Sequence, residues 1–285
     1  MDPIITFPGL LGNLSFDFPS SFHLLGRDFY WYGVIIACGF LLAVWYCFSR
    51  CHEFGITQDD LLDTVLFAVP LGIVGARAYY VIFYGHYDNF WDMCKIWEGG
   101  LAIYGGIIAA VITVLVVCRV KKISPLAMLD IAGFGLFIGQ AVGRWGNFTN
   151  REAFGEATDI FCRMGLTYAD GTTIYVHPCF LYESLWNVIG FLALHIFSKK
   201  RERKFDGEFF ALYLGWYGLG RMFIEGLRTD SLYVGATGIR VSQVLAGATL
   251  LAVIVLFIVV LKRKNYAPEK LFVNRASSEP QEKSE

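Results

Sequence analysis

The sequence is short of charge. Only 17% of its 285 residues are charged, against 55% hydrophobic and 16% aromatic, and the mean hydropathy is +0.50. So few polar side chains cannot cover the surface of a soluble domain of this length, which excludes that class. Paired Cys-x-x-Cys and His-Glu-x-x-His spacings are also missing, so neither a metal nor another cofactor is expected. The first 28 residues have no basic start and no continuous apolar run, and Asp2, Asp17, Arg27 and Asp28 break them up, so no cleavable signal is expected. The two halves of the chain show no convincing self-similarity, although internal repeats are common in transporters.

What is present is a series of apolar runs. A membrane crossing takes about 20 apolar residues, and runs of near that length lie at Tyr30 to Phe48, Leu61 to Tyr84, Leu101 to Cys118, Pro125 to Val142, Phe180 to Phe197, Phe209 to Ile224 and Val241 to Leu261. The expected fold is therefore an all-α polytopic membrane protein with seven transmembrane helices. Short cytoplasmic loops carry excess Lys and Arg. Three basic clusters, Arg119 with Lys121 and Lys122, Lys199 to Lys204, and Lys262 to Lys264, fall on one side if seven helices alternate. That places the N-terminus outside and the C-terminus in the cytoplasm. Residues 265–285 are expected to form a short cytoplasmic tail without fixed structure, their last ten rich in Ser, Glu and Lys.

Five arginines break the charge pattern. Arg144, Arg151 and Arg163 lie between the fourth and fifth runs and Arg221 and Arg228 end the sixth, all on the expected outer side. Orientation is a sum over loops and tolerates a few such residues, but five beside apolar helices point to a site. Guanidinium is permanently charged and its planar fork matches phosphate oxygens in pairs, so Arg144 and Arg221 are candidate phosphate clamps. Tyr217, Arg221, Glu225 and Arg228 recur at spacings of four, four and three, which predicts one helical face. Such a stripe fits a substrate site or an internally paired Arg-Glu-Arg ladder that fixes helix packing. Tyr32 reads equally as an interfacial aromatic. Arg77 and Glu183 sit inside apolar runs and need partners, and Gly72 and Gly75 permit close helix approach beside Arg77.

Cys38, Cys47 and Cys118 fall in or at the end of apolar runs and read as small apolar residues. Cys94, Cys162 and Cys179 are on the expected outer side, where the sequence leaves an oxidised pair open.

The run from Gly139 to Gly155, Gly-Gln-Ala-Val-Gly-Arg-Trp-Gly-Asn-Phe-Thr-Asn-Arg-Glu-Ala-Phe-Gly, closely resembles the signature of the prolipoprotein diacylglyceryl transferases of bacterial plasma membranes. The resemblance extends to Trp31-Tyr32-Gly33, Gly75-Ala76-Arg77, Trp97 to Leu101, Tyr104-Gly105-Gly106, His177-Pro178, Leu181-Tyr182-Glu183 and the stripe from Tyr217 to Arg228. It covers residues from about 20 to 264, implying a single transmembrane transferase domain over 1–264 with its active site toward the outer side of the cytoplasmic membrane. It implies that the diacylglyceryl group of phosphatidylglycerol is passed to the lipobox cysteine thiol of a prolipoprotein signal peptide, giving a thioether and glycerol phosphate. Expected partners are these two substrates and the lipid bilayer, with no nucleic acid. No lipobox precedes a cysteine near this chain's own N-terminus.

The resemblance assigns Arg144 and Arg221 to the phosphate and its leaving charge, with Tyr104 and Glu152 as further catalytic candidates. Tyr32, Asn147, Gly155, Tyr217, Glu225 and Arg228 fall on motif positions and are assigned to head-group binding or to holding the arginines. One departure matters. Many members carry a histidine, proposed as the base for the thiol, where this chain has Tyr104, and an ordinary tyrosine, titrating near ~10, is a poor base at neutral pH. The proton therefore goes to Glu152, to another group or to solvent, or Tyr104 only hydrogen-bonds the substrate. The alternative function is a lipid or anion transporter using outer-face arginines; an acyltransferase or phosphotransferase would ordinarily bring a histidine-aspartate pair or a metal site.

Overall fold

The computed structural model describes residues 2–12, 14–24, 26–85, 87, 89–229, 233, 240–263 and 268–278. The protein is a polytopic, mostly helical membrane protein. Among the described residues, six helices are long and apolar enough to cross a membrane: α1 (Trp31–Arg50), α2 (Gln58–Phe83), α4 (Ile103–Val120), α5 (Pro125–Asn150), α6 (Cys179–Lys200) and α8 (Val241–Arg263). The short α3 spans Phe90–Cys94, and α7 (Glu208–Ile224) is a 17-residue helix over the sixth apolar run. The chain divides into two compact units, Met1–Tyr46 with Ala132–Arg203 and Glu208–Tyr266, and Cys47–Ile131 with Lys204–Gly207 and Ala267–Glu285.

The first unit carries a feature that the apolar runs did not announce, a small antiparallel sheet in the order β2-β1-β5-β6. Its strands are β1 (Ile4–Thr6), β2 (Ser15–Phe16), β5 (Met164–Thr167) and β6 (Thr173–Val176), and a separate hairpin pairs β3 (Ser21–Leu24) with β4 (Arg27–Tyr30). β1 is central, with Ile5 opposite Leu166. Ile5, Phe7, Met164, Leu166, Val176 and Phe180 are buried together, with Phe148 and Phe154 packed against them. This core ties the sheet to the ends of α5 and α6.

Arg151 pins the N-terminal segment to that core. Its Nε donates to the Pro3 carbonyl at 3.0 Å, Nη1 to the Thr149 carbonyl at 2.6 Å and Nη2 to the Phe18 carbonyl. Burial pulls the Arg151 guanidinium below its usual pKa, while Asp2 and Asp17 oppose that shift. Removing this side chain strands buried carbonyls, at about 1–3 kcal/mol each for a lost charged-donor bond. Arg151→Ala is therefore expected to lower the melting temperature and to expose residues 2–20 to limited proteolysis; an unchanged digestion pattern would contradict this role.

In the same unit α6 and α7 interlock through two indoles. Trp186 and Trp216 stack with centroids 4.5 Å apart, and each Nε1 donates to the other residue's carbonyl at 2.9 Å. Gly190 and Gly220 leave the room that these rings occupy.

In the second unit α2 and α4 run antiparallel in close contact. A Cβ at Gly75 would lie 2.8 Å from the Gly105 carbonyl, so only small residues allow this approach. Arg77 finds its partners in backbone carbonyls: those of Met93 (2.8 Å), Asp92 (2.9 Å), Gly99 (2.6 Å) and Gly100 (3.2 Å). It thereby fixes the loop that leads into α4. Ser124 accepts from the Ala127 amide and Pro125 opens α5, a favourable helix start.

Part of the segment expected as an unstructured tail is folded. Pro268–Lys270 form a helical turn and Phe272–Ser278 form α9. Leu271 is buried, the Phe272 amide donates to Asp206 at 3.0 Å, and Gly55 leaves space for Val273. An apolar Leu-Phe-Val step supplies the burial that the Ser/Glu/Lys-rich composition further on does not. Residues 265–267 and 279–285 of the expected tail lie outside the described residues.

Candidate functional site

Gln140, Arg144 and Asn147 lie along one face of α5 at helical spacing, where the helix changes from apolar to polar. Beyond its end the chain reverses through two non-glycine residues in the left-handed region, Arg151 (φ 54°) and Ala153 (φ 56°). Such backbone is uncommon and persists only where surrounding contacts hold it. Here Arg151 is fixed by its three carbonyls, and the Glu152 amide donates back to the Asn147 carbonyl at 3.1 Å.

The centre of the cluster is Glu183, in the second turn of α6 and almost wholly buried. Arg144 Nη2 lies 2.6 Å from its Oε2, Arg221 Nη1 lies 3.1 and 3.2 Å from its two oxygens, and Arg228 Nη1 lies 3.4 Å from Oε1. Glu225 adds a second carboxylate, 2.7 Å from Arg221 Nη2. Three guanidinium groups thus converge on two buried carboxylates. A lone carboxylate in such a place would be strongly destabilising, and its three partners offset that cost.

The network continues outward from Arg144. Its Nη1 donates to Asn147 Oδ1 at 3.3 Å, and Asn147 Nδ2 donates to Glu152 Oε1 at 2.9 Å, with Glu152 itself exposed. One helical turn deeper, Gln140 donates to the Tyr213 hydroxyl at 2.8 Å, and the Tyr213 and Tyr217 rings stack at 6.1 Å. Tyr32 lies over Gly146, where a Cβ would come within 2.6 Å of its ring. Gly155 is buried where three segments meet, its amide donating to the His177 carbonyl at 2.9 Å and its backbone bridging to Arg228.

Eight of the motif residues thus gather around Glu183 in the first unit: Arg144, Asn147, Glu152, Gly155, Tyr217, Arg221, Glu225 and Arg228, with Tyr32 beside them on Gly146. Tyr104 belongs to the second unit, near the start of α4, and is exposed. Arg228 does not continue the helical stripe that its spacing predicts. α7 ends at Ile224, a tighter turn covers Glu225–Leu227, and Arg228 is extended, so the four stripe residues do not share one α-helical face. Arg228 reaches Glu183 because the chain turns there. Two of the five arginines that break the charge pattern also leave the cluster. Arg151 binds backbone carbonyls, and Arg163 donates to those of Asp159 (3.0 Å) and Ile160 (3.3 Å) beside the Tyr175 ring.

Sequence reasoning saw that Glu183 needed a partner but did not see that it had three. It missed Arg240 altogether, whose guanidinium donates to the Glu225 carbonyl and lies 3.7 Å from Glu156. No disulfide joins Cys94, Cys162 and Cys179 among the described residues; Cys162 Sγ contacts the Tyr182 hydroxyl at 3.4 Å.

A family model for prolipoprotein diacylglyceryl transferase matches residues 19–259. The chain belongs to that family. Relatives named phosphatidylglycerol–prolipoprotein diacylglyceryl transferase include one from Finegoldia magna, 45% identical over 238 residues, covering 83% of this chain and 93% of the relative. Another from Streptococcus equi subsp. zooepidemicus is 42% identical over 253 residues, covering 86% and 95%. A third, from Bacillus cytotoxicus, is 42% identical over 264 residues, covering 89% and 95%. The arginine and glutamate cluster lies wholly within the part matched by the diacylglyceryl transferase family, whereas β1 and β2 precede it.

Proposed function

We propose that this protein transfers the diacylglyceryl group of phosphatidylglycerol to the lipobox cysteine thiol of prolipoproteins, releasing glycerol phosphate. The observation that carries the reading is the set of three arginines converging on Glu183, built from motif residues of the family. The Arg144, Arg221 and Arg228 side chains keep 23%, 18% and 11% of their surface exposed, while Glu183 keeps 5%. An incoming phosphate therefore meets these guanidinium groups before it meets the Glu183 carboxylate.

In the reaction the cysteine sulfur bonds to the glyceryl carbon as the carbon–oxygen bond to phosphate breaks. The bonding pair leaves with that oxygen, and the singly charged diester becomes a monoester carrying a second charge. Donors fixed in advance around that developing charge are commonly the largest catalytic contribution. Arg144 and Arg221 fill that role, with Asn147 and Glu152 orienting Arg144 and Glu225 orienting Arg221. Positive charge nearby also lowers a thiol's pKa from its usual ~8.5 and so favours the attacking thiolate. Tyr217, Tyr32, Gly155 and Arg228 shape the head-group site.

α7 is counted as the seventh crossing. With the three basic clusters on the cytoplasmic side this puts the N-terminus and the arginine cluster at the outer face of the cytoplasmic membrane, and 1–264 acts as one transferase domain. The transporter alternative finds no support among the relatives, which are named as transferases.

The reading is tested with purified protein in phosphatidylglycerol-containing detergent and a lipobox peptide. The peptide should gain one diacylglyceryl mass as glycerol phosphate is released; no transfer, under conditions that support a known member of the family, would sink it. Tyr104→Phe removes only a hydroxyl from a residue poorly suited to act as a base. Turnover should stay within about tenfold of the parent, with its pH profile unmoved, since a positioned general base ordinarily contributes 10²–10⁴-fold. A larger loss with a displaced profile would put the hydroxyl into the proton transfer.

A further inference from the structure

One helical turn from the arginine cluster, toward the middle of the helices, lies a second polar layer of different chemistry. Arg144 meets Glu183, and the Phe137 ring faces Gly190, an antiparallel register of α5 on α6. Gln140 and Asn187 are therefore level with one another. Asn187 is only 2% exposed. Its Nδ2 donates to the Glu183 carbonyl at 2.8 Å, which fixes the sense of the amide, since the reverse would set oxygen against oxygen. Its Oδ1 is buried and has no partner among the described residues, and the same holds for Gln140 Oε1. Neighbouring Ser184 is satisfied on both sides, donating to the Ala141 carbonyl at 2.8 Å and accepting from Trp145 Nε1 at 3.2 Å. A buried acceptor without a donor costs stability, most of all inside a membrane, so its presence calls for a functional reason.

Both orphan atoms are acceptors, so the group that completes the layer is a hydrogen-bond donor. We infer that Asn187 Oδ1, with Gln140 Oε1 level with it, receives the thiol of the acceptor cysteine and aims its sulfur at the glyceryl carbon. The inference rests on the proposed transferase reading. With phosphate at the arginines, the acyl chains and the glyceryl carbon lie on the side toward the middle of the helices. Displacement at that carbon sets sulfur, carbon and leaving oxygen in a row, with the sulfur farthest in. Reacting atoms approach to about 3–3.5 Å, so with the carbon–oxygen bond added the sulfur stands roughly 5 Å from the leaving oxygen. One helical turn rises about 5.4 Å, the step from Arg144 to Gln140 and from Glu183 to Asn187. The ester carbonyls of the lipid cannot donate, and the hydroxyls of its head group lie on the other side of the phosphate. An amide oxygen is too weak a base to keep the proton, so Asn187 binds and orients the thiol without replacing the base.

Two lipobox peptides, one with serine and one with alanine in place of cysteine, are compared for direct binding to the full chain in phosphatidylglycerol-containing detergent. Serine keeps a donor but loses more than alanine on leaving water, so its tighter binding requires an acceptor in the site. The parent should bind the serine peptide at least about fivefold more tightly, the worth of one net hydrogen bond. In Asn187→Leu, which keeps the branching at Cγ, that preference should vanish. Its kcat/KM for the cysteine peptide should fall by about fivefold as well, with KM for phosphatidylglycerol within about twofold of the parent. The melting temperature should not fall, because the substitution removes an unpaired polar atom and the Glu183 carbonyl keeps its own helical bond. Asn187→Ala serves the same comparison if leucine is not accommodated, and should neither variant fold, the two peptides on the parent protein decide. The inference is overturned if the parent binds both peptides equally, if a folded variant keeps the preference, or if activity is lost only in proportion to folded protein. A loss confined to KM for phosphatidylglycerol would also overturn it, giving the acceptor to a head-group hydroxyl. Absence of any transfer by the parent counts against the transferase reading instead, since peptide binding is measured without turnover.

Discussion

Arg144→Ala and Arg221→Ala are each expected to cut transfer on the order of 10³-fold while leaving the folded protein intact. Loss of one preorganised donor to a developing anion commonly costs about 10²–10³ in turnover, and each alanine removes a whole guanidinium fork. The fold should survive because Glu183 is shared. Without Arg144 it retains Arg221 and Arg228, and without Arg221 it retains Arg144 and Arg228. Neither variant therefore leaves Glu183 unpaired, the circumstance in which breaking a buried ion pair costs about 3–5 kcal/mol; Arg221→Ala also takes away the guanidinium 2.7 Å from buried Glu225, so it is expected to melt lower than Arg144→Ala. Transfer rates at saturating lipid, measured with the melting temperature on the same preparation, check this. Activity lost only in proportion to folded protein would make the arginines a packing ladder.

Gly155→Ala is expected to disturb fold and activity together. A Cβ there would lie 2.7 Å from both the Leu227 carbonyl and His177 Cβ, and 2.9 Å from Cys179 Sγ. Two of these neighbours are held by the hydrogen bonds that join residues 155–156 to 177 and 227, so they cannot simply rotate away. Overpacking of this kind costs about 1–3 kcal/mol. Relief would push Leu227 and Arg228 outward and draw Arg228 from Glu183, and a misplacement of roughly 1 Å at a site can cost about 10²-fold in rate. A lower melting temperature with a turnover loss of that size is the expected outcome. Parental values for both would show that the junction is looser than its contacts indicate.

The membrane helices were legible because bilayer thickness fixes the length of an apolar run, and α1, α2, α4, α5, α6 and α8 each satisfy it. The sheet was not legible. Its strands are two to four residues long, too short for an alternating pattern, and β1 pairs with β5 across some 160 residues. At the site, residue types were readable and pairings were not. Glu183 contacts residues 38, 39 and 45 positions away, a convergence set by how α5, α6 and α7 pack. The spacing from Tyr217 to Arg228 persists whether or not the helix does, so periodicity could not report that α7 stops at Ile224. Charge alone likewise could not separate Arg151, sealed by backbone carbonyls, from Arg144, which keeps an exposed side.

Phosphatidylglycerol carrying ¹⁸O at the ester oxygen between the diacylglyceryl carbon and phosphorus tests most directly whether these arginines receive a leaving phosphate. With a lipobox peptide and the full chain, the account predicts that the label is recovered in released glycerol phosphate while the cysteine gains one diacylglyceryl group. Label recovered in free diacylglycerol, with the peptide unmodified, would mean that the bond to phosphorus is cleaved, and would contradict it.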